Sequence, residues 1–179
     1  RPRAAGPLEP GPGPVAAPLL LPGAVLGLGG TTAPSNRIGI GFIGLGRQAI
    51  HANLSVFMRS GYCQTVALCD VDWDYASGVF KAYPGAKQWK DFREMLEKQK
   101  DIEAVVIATP DHTHAIQAMA AMQLGKHVYV QKPLTHSVWE ARQLTEAARK
   151  YRVATQMGNE GHSRDEVRTV AEMIWSGVI

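Results

Sequence analysis

From residue 37 onward, short apolar runs alternate with longer stretches whose apolar residues recur at helical spacing. Runs at 38–43, 65–69 and 104–108 are apolar at nearly every position, as in strands buried on both faces. Shorter runs at 86–89, 127–130 and 153–156 read as further strands. Between them, helices are predicted over 47–59, from Asp72 to about residue 82, over 91–96, 114–124 and 137–151, with a last one over 164–176. Asp72 and Asp91 stand where helix caps belong. Breaks fall at Ser60-Gly61, Tyr83-Pro84-Gly85, Thr109-Pro110, Gly125 and Gly177. Strands alternating with helices imply right-handed βαβ units on a parallel sheet. The fold class expected is therefore α/β, a doubly wound parallel sheet over residues 37–156, followed by a crossover and helix over 157–179.

Residues 1–36 break this pattern. They are rich in Pro, Gly and Ala and carry no helical or strand period. Within them, 15–28 is apolar and uncharged and follows Arg1 and Arg3, which resembles the hydrophobic region of an export signal. A flexible leader fits the same composition, and the segment is too short and too broken by Pro and Gly to span a membrane. A net charge of +3 over 179 residues, with no Lys/Arg block, gives no indication of a nucleic-acid surface. Cys63 and Cys69 are the only cysteines. Six apart on one strand, they are expected on one face as buried free thiols, and without a C-x-x-C motif a thiolate metal site has little support.

Candidate chemistry begins at Gly44-Leu45-Gly46-Arg47-Gln48-Ala49, which fits a G-x-G-x-x-G/A turn. Such glycines let the backbone turn tightly and approach a pyrophosphate, and the N–H groups that open the next helix face the anion. A plain glycine-rich turn satisfies the same string. The overlapping match Gly39-Ile40-Gly41-Phe42-Ile43-Gly44 is rejected, because it would put the turn inside the apolar run and leave almost no strand before it. Asp70 closes the second strand, 26 residues after Gly44. It suits either a helix cap or an acceptor for adenosine ribose hydroxyls, where its charge would repel a 2′-phosphate and select NAD over NADP.

Thr109-Pro110-Asp111-His112-Thr113-His114 and Gln131-Lys132-Pro133 each follow a strand at the carboxyl edge of the sheet, where such folds bind ligands. His112 and His114 suit exposed helix positions, and their spacing points them to different sides, against a two-histidine metal site. No metal is expected. Lys132 is either a solvated surface group or a donor able to orient a carbonyl or hydroxyl.

Taken together, the glycine turn, Ala108-Thr109-Pro110-Asp111-His112-Thr113-His114 and Gly125-Lys126-His127-Val128-Tyr129-Val130-Gln131-Lys132-Pro133-Leu134 resemble the glucose–fructose oxidoreductase/inositol dehydrogenase (Gfo/Idh/MocA) family over about residues 36–179. The resemblance implies an NAD(P)-binding Rossmann domain followed by a second α/β domain bearing the substrate site. It also implies hydride transfer between a nicotinamide cofactor and a sugar, polyol or related alcohol. By match, Gly44, Leu45, Gly46, Arg47 and Gln48, closed by Ala49, form the pyrophosphate turn, and Asp70 holds the ribose. Thr109, Pro110 and His114 line the cofactor cleft with Gln131 and Pro133, and Lys132 stands beside the nicotinamide and the reacting oxygen as the catalytic lysine. Gln131 replaces the family's usual Glu and removes a charge there; Gln still accepts a hydrogen bond. The segment 155–163 resembles the exit from the Rossmann domain in a subgroup that often carries twin-arginine export signals. There Asn159 and His162 either approach the nicotinamide end or merely shape a crossover.

The resemblance further implies that the second domain, absent here, supplies the remaining acid/base groups and most substrate contacts. The chain alone is then expected to be inactive, with the apolar face of Val167, Val170, Ile174 and Trp175 unpacked. The expected cofactor is NAD rather than NADP, the partner a small sugar or polyol, and the intact protein a homo-oligomer without nucleic acid or membrane span. The location expected is the periplasm by twin-arginine export, otherwise the cytoplasm. A redox-neutral, NAD-dependent glycosidase and a non-catalytic NAD-binding module are the two alternative readings.

Overall fold

The computed structural model describes residues 21–30 and 32–179. The leader's first 20 residues thus lie outside the described ones; of its apolar run, Gly23–Leu26 forms a 3-10 turn. Contacts divide the chain into two units, Arg1–Pro34 and Ser35–Ile179. No helix among the described residues is long and apolar enough to cross a membrane.

The second unit carries a six-stranded parallel sheet in the order β3-β2-β1-β4-β5-β6. Its strands are β1 (Ile38–Ile43), β2 (Cys63–Cys69), β3 (Lys87–Trp89), β4 (Ala104–Ile107), β5 (His127–Gln131) and β6 (Thr155–Gly158). Its helices are α1 (Ser55–Arg59), α2 (Trp73–Ala82), α3 (Phe92–Lys98), α4 (His114–Gln123), α5 (Val138–Tyr151) and α6 (Asp165–Trp175). The order 3-2-1-4-5-6 is that of a dinucleotide-binding doubly wound fold, in which the strand order reverses between β1 and β4. Alternation along the strands supplies both faces. Phe42, Leu68 and Val106 pack with Leu54 and Phe80 on one side, whereas Ile43, Val105 and Ile107 pack with Met95, Ala118 and Leu144 on the other. Each fully buried side chain of this size contributes about 1.5–3 kcal/mol.

Local signals place the helix starts. Asp72 Oδ1 accepts from the Tyr75 N–H, and Asp91 Oδ1 from that of Arg93. Ser137 and Glu140 form a reciprocal capping box at α5. The expected helix over 47–59 is continuous, but its middle, Ala49–Leu54, is π-helical before it runs into α1.

One expectation fails. Val66 is an extra residue in β2, where the pairing steps from Ile40 opposite Thr65 to Gly41 opposite Ala67. This bulge puts Val66 and Ala67 on the same face and inverts the alternation before it. Cys69 therefore packs with the α3/α4 side and Cys63 with the α1/α2 side, on opposite faces. The bulge is underpinned by buried Gln99, whose Nε2 donates to the Val66 carbonyl at 2.8 Å while its Oε1 accepts from Trp89 Nε1 at 2.7 Å. In α6, Val167, Val170, Ile174 and Trp175 are all exposed.

Candidate functional site

The glycine turn leaves β1 where the strand order reverses, beside the carboxyl end of β4. Gly44 has φ +84°, and a Cβ there would stand 2.7 Å from the Ala108 carbonyl oxygen and 2.8 Å from Thr109 Cγ2. Only glycine satisfies both the left-handed backbone and the close approach of β4. Gly46 is the opposite case: no heavy atom lies within 4 Å of its Cβ position. That open space above the turn suits an incoming phosphate group, so the cradle fits a dinucleotide. Gly39 and Gly41 lie inside β1, where a Cβ would meet the Asp101 carbonyl or the Ile102 and Met95 side chains. They serve strand packing, as a turn that begins at Gly44 requires.

Asp70 is tied to the turn. Its Oδ2 accepts from the Leu45 N–H at 2.7 Å and its Oδ1 from the Asp72 N–H at 2.9 Å. This corrects the expectation for Leu45: its N–H serves Asp70 and its side chain is fully buried, so it shapes the loop rather than facing an anion. Arg47 and Gln48, both exposed, open the helical turn, where N–H groups lack intrahelical acceptors.

A cleft of about 450 Å³ brings together Gly44, Gly46, Asp70, Thr109 and Pro110. It also receives Lys90 from the β3–α3 connection, Arg93 from the first turn of α3 and Gln117 from α4, none of which the sequence pattern indicated. Arg93 is engaged with Asp91 through paired bonds of 2.9 Å, and this hydrogen bonding holds the Asp91 carboxyl below its usual range. Gln117 accepts from the Thr109 hydroxyl at 2.8 Å and so fixes that side chain at the cleft wall. The Cys69 thiol lines the same wall but is inert: burial first, then the Asp70 and Asp91 charges, push it up to about 12.

His114 differs from expectation as well. It is buried beneath the cleft rather than lining it, with Nδ1 2.7 Å from the Pro133 carbonyl oxygen and Nε2 2.9 Å from that of Thr109. It joins the two loops that follow β4 and β5. The residue was legible as part of a motif, but its burial depends on β5 packing beside β4. His112, in contrast, is exposed.

Lys132 follows β5 directly and precedes Pro133 through a cis peptide bond. It lines a second cleft of about 380 Å³ at the same sheet edge, together with Gln48, Gln131, Gly158, Asn159, Glu160 and His162; Glu160 lies 3.8 Å from Arg164 in an ion pair. Among the described residues no carboxylate pairs with it. Gln131, expected past the strand, is its buried last residue. Its Nε2 donates to Asn53 Oδ1 at 3.0 Å, and its Oε1 accepts from the Lys132 N–H at 3.3 Å. Asn53, 3% exposed, went unnoticed in the sequence because nothing local marks a polar residue at a buried helical position.

Comparison with known proteins gives a consistent picture. The family model GFO_IDH_MocA, described as an oxidoreductase family with an NAD-binding Rossmann fold, matches residues 38–159. A glycosyl hydrolase family 109 protein of Shewanella woodyi is 30% identical over 155 residues, 80% of this chain and 32% of the relative. An inositol 2-dehydrogenase of Rubrobacter xylanophilus is 36% identical over 114 residues, 63% of this chain and 32% of the relative. Among solved structures, a 3-ketoreductase from Actinomadura kijaniata, in complex with TDP-benzene and NADP, superposes with a TM-score of 0.73 at 28% identity. That match covers 80% of this chain and 45% of the reductase. The chain thus spans about a third of the length of the curated relatives it matches.

Proposed function

The chain belongs to the GFO_IDH_MocA oxidoreductase family with its NAD-binding Rossmann fold, and from this premise we propose that it is the cofactor-holding part of a dehydrogenase acting on a sugar, polyol or related alcohol. The observation that carries the reading is the pairing of Gly44 and Gly46 at the sheet's reversal point with Asp70 bound to the same turn. The open side of Gly46 admits the pyrophosphate, and the N–H groups of Arg47 and Gln48 face it. Each Asp70 oxygen uses one lone pair on a backbone N–H and keeps another for a ribose hydroxyl. Its charge disfavours a 2′-phosphate, so NAD is preferred over NADP.

When bound, the nicotinamide supplies hydride transfer. Lys132, which forms no ion pair among the described residues and has a neutral Gln131 beside it, presents its ammonium donors to the substrate oxygen and helps to orient and polarise it. Thr109 and Pro110 shape the wall between the two clefts' loops, held from below by His114. Asn159 and His162 close the Lys132 end.

A second reading is favoured by one observation: the similarity to a protein named for glycosyl hydrolase family 109 extends over 80% of the chain. Glycoside cleavage that depends on NAD without net redox change would use the same cofactor-holding residues. In the full-length protein, accumulation of NADH with a sugar alcohol supports the dehydrogenase; glycoside release without it supports the glycosidase.

Fluorescence titration with NADH and NADPH tests the binding reading on the chain itself. NADH binds more tightly, and Asp70→Asn, which removes the charge, narrows the preference by roughly tenfold, the equivalent of about 1–2 kcal/mol of repulsion near a surface. A folded wild-type chain that binds neither cofactor at millimolar concentration would falsify the proposal.

A further inference from the structure

We propose that Asn53 is a positioning residue for the Lys132 end of the cofactor site, acting through the side chain of Gln131; the inference rests on the cofactor placement above. The Gln131 amide is held on three sides. The Lys132 N–H donates to its Oε1, Asn53 Oδ1 receives its Nε2, and Gly158 of the neighbouring strand lies so close that a Cβ there would be 2.9 Å from Gln131 Cδ.

The orientation of both amides follows from the backbone. A backbone N–H can only donate, so the Gln131 atom nearest Lys132 is the oxygen, which turns Nε2 toward Asn53. Asn53 must then present its oxygen. Because Gln131 and Asn53 are 5% and 3% exposed, water cannot replace either partner freely. The lock joins the π-helical segment to the ends of β5 and β6, whose residues Gln131 and Gly158 line the Lys132 cleft, as does Gln48 immediately before that segment. With the family's usual Glu replaced, the donor created at position 131 finds its acceptor in Asn53.

Removing that acceptor strands a buried donor and lets the Gln131–Lys132 segment relax away from its competent arrangement. Binding of a full dinucleotide must then restore it, which weakens apparent affinity by the fraction of molecules still competent. A ligand that stops at the adenosine half bears no such cost.

The experiment compares NADH with ADP, which lacks the nicotinamide and its ribose, by calorimetric titration of wild type, Asn53→Leu and Asn53→Asp. Asn53→Leu weakens NADH by about tenfold and leaves ADP unchanged, whereas Asn53→Asp, which retains an acceptor oxygen, restores NADH affinity to within about threefold of wild type. Should Asn53→Leu not fold, Asn53→Leu with Gln131→Leu leaves no side-chain donor stranded and shows the same split. Equal weakening of both ligands, no weakening of either, or failure of Asn53→Asp to restore NADH binding overturns the proposal. Loss of all binding in wild type would instead strike the cofactor reading on which it rests.

Discussion

Gly44 and Gly46 are two residues apart in one motif, yet the structure gives alanine at each a different consequence. At Gly44, alanine takes a left-handed conformation that costs an L-residue about 1–2 kcal/mol. Its Cβ also falls 2.7 Å from the Ala108 carbonyl oxygen, so the turn and the end of β4 must separate by about 0.7 Å to reach an ordinary contact of 3.4 Å. Backbone on both sides resists that shift, and overpacking of this kind costs about 1–3 kcal/mol more. Gly44→Ala is therefore destabilised by about 2–5 kcal/mol, and its Tm falls by roughly 10 °C for a chain of this length. At Gly46 the space is empty, so Gly46→Ala keeps or slightly raises stability by restricting the unfolded chain. Its methyl group instead occupies the approach reserved for the pyrophosphate. Differential scanning calorimetry paired with NADH titration reads both effects. Gly44→Ala loses melting temperature, while Gly46→Ala melts like wild type and binds NADH at least tenfold more weakly. If Gly46→Ala binds NADH as wild type does, the pyrophosphate is not at this turn and the site has been misplaced.

Two further outcomes follow from buried groups near the site. The Cys69 thiol is raised from 9.0 to about 12, so its stabilising contribution is complete below pH 9 and is lost as pH climbs from about 9 to about 12, where the unfolded chain releases the proton first. Denaturant melts from pH 8 to 11 therefore show a steeper alkaline loss for wild type than for Cys69→Ala, and an identical slope would contradict the placement. Gln99→Leu leaves the Trp89 indole N–H and the Val66 bulge carbonyl without partners, which costs about 2–5 kcal/mol in urea unfolding and disturbs the β2 edge next to Asp70. A loss below about 1 kcal/mol would show that the bulge does not depend on Gln99.

The strand and helix succession was legible from residue order alone, because burial on both faces makes a parallel strand uniformly apolar and because Asp72 and Asp91 mark helix starts by local hydrogen bonding. The register of the glycine turn was legible for a similar reason: Gly39 and Gly41 fall inside an apolar run that cannot also be a loop. Asp70, Thr109 and Lys132 could be placed at the carboxyl edge of the sheet, since each follows a predicted strand. Their neighbours could not. Lys90, Arg93 and Gln117 reach the cleft from a connection and two helices distant in sequence from the glycine turn. His114 carries the same residue type whether exposed or buried; only the packing of β5 against β4 puts carbonyl oxygens at both ring nitrogens.

The sequence by itself determined the periodicities, the caps and the position of the turn, because these depend on residues within a few places of one another. Only the tertiary structure decided which face each cysteine takes, since one unpaired residue at Val66 reverses every side chain before it. It also decided that Leu45 gives its N–H to Asp70, and that Asn53 completes Gln131 across 78 residues of chain. Hydrogen bonds of that range are set by how sheets and helices stack, and no local pattern of residues carries them.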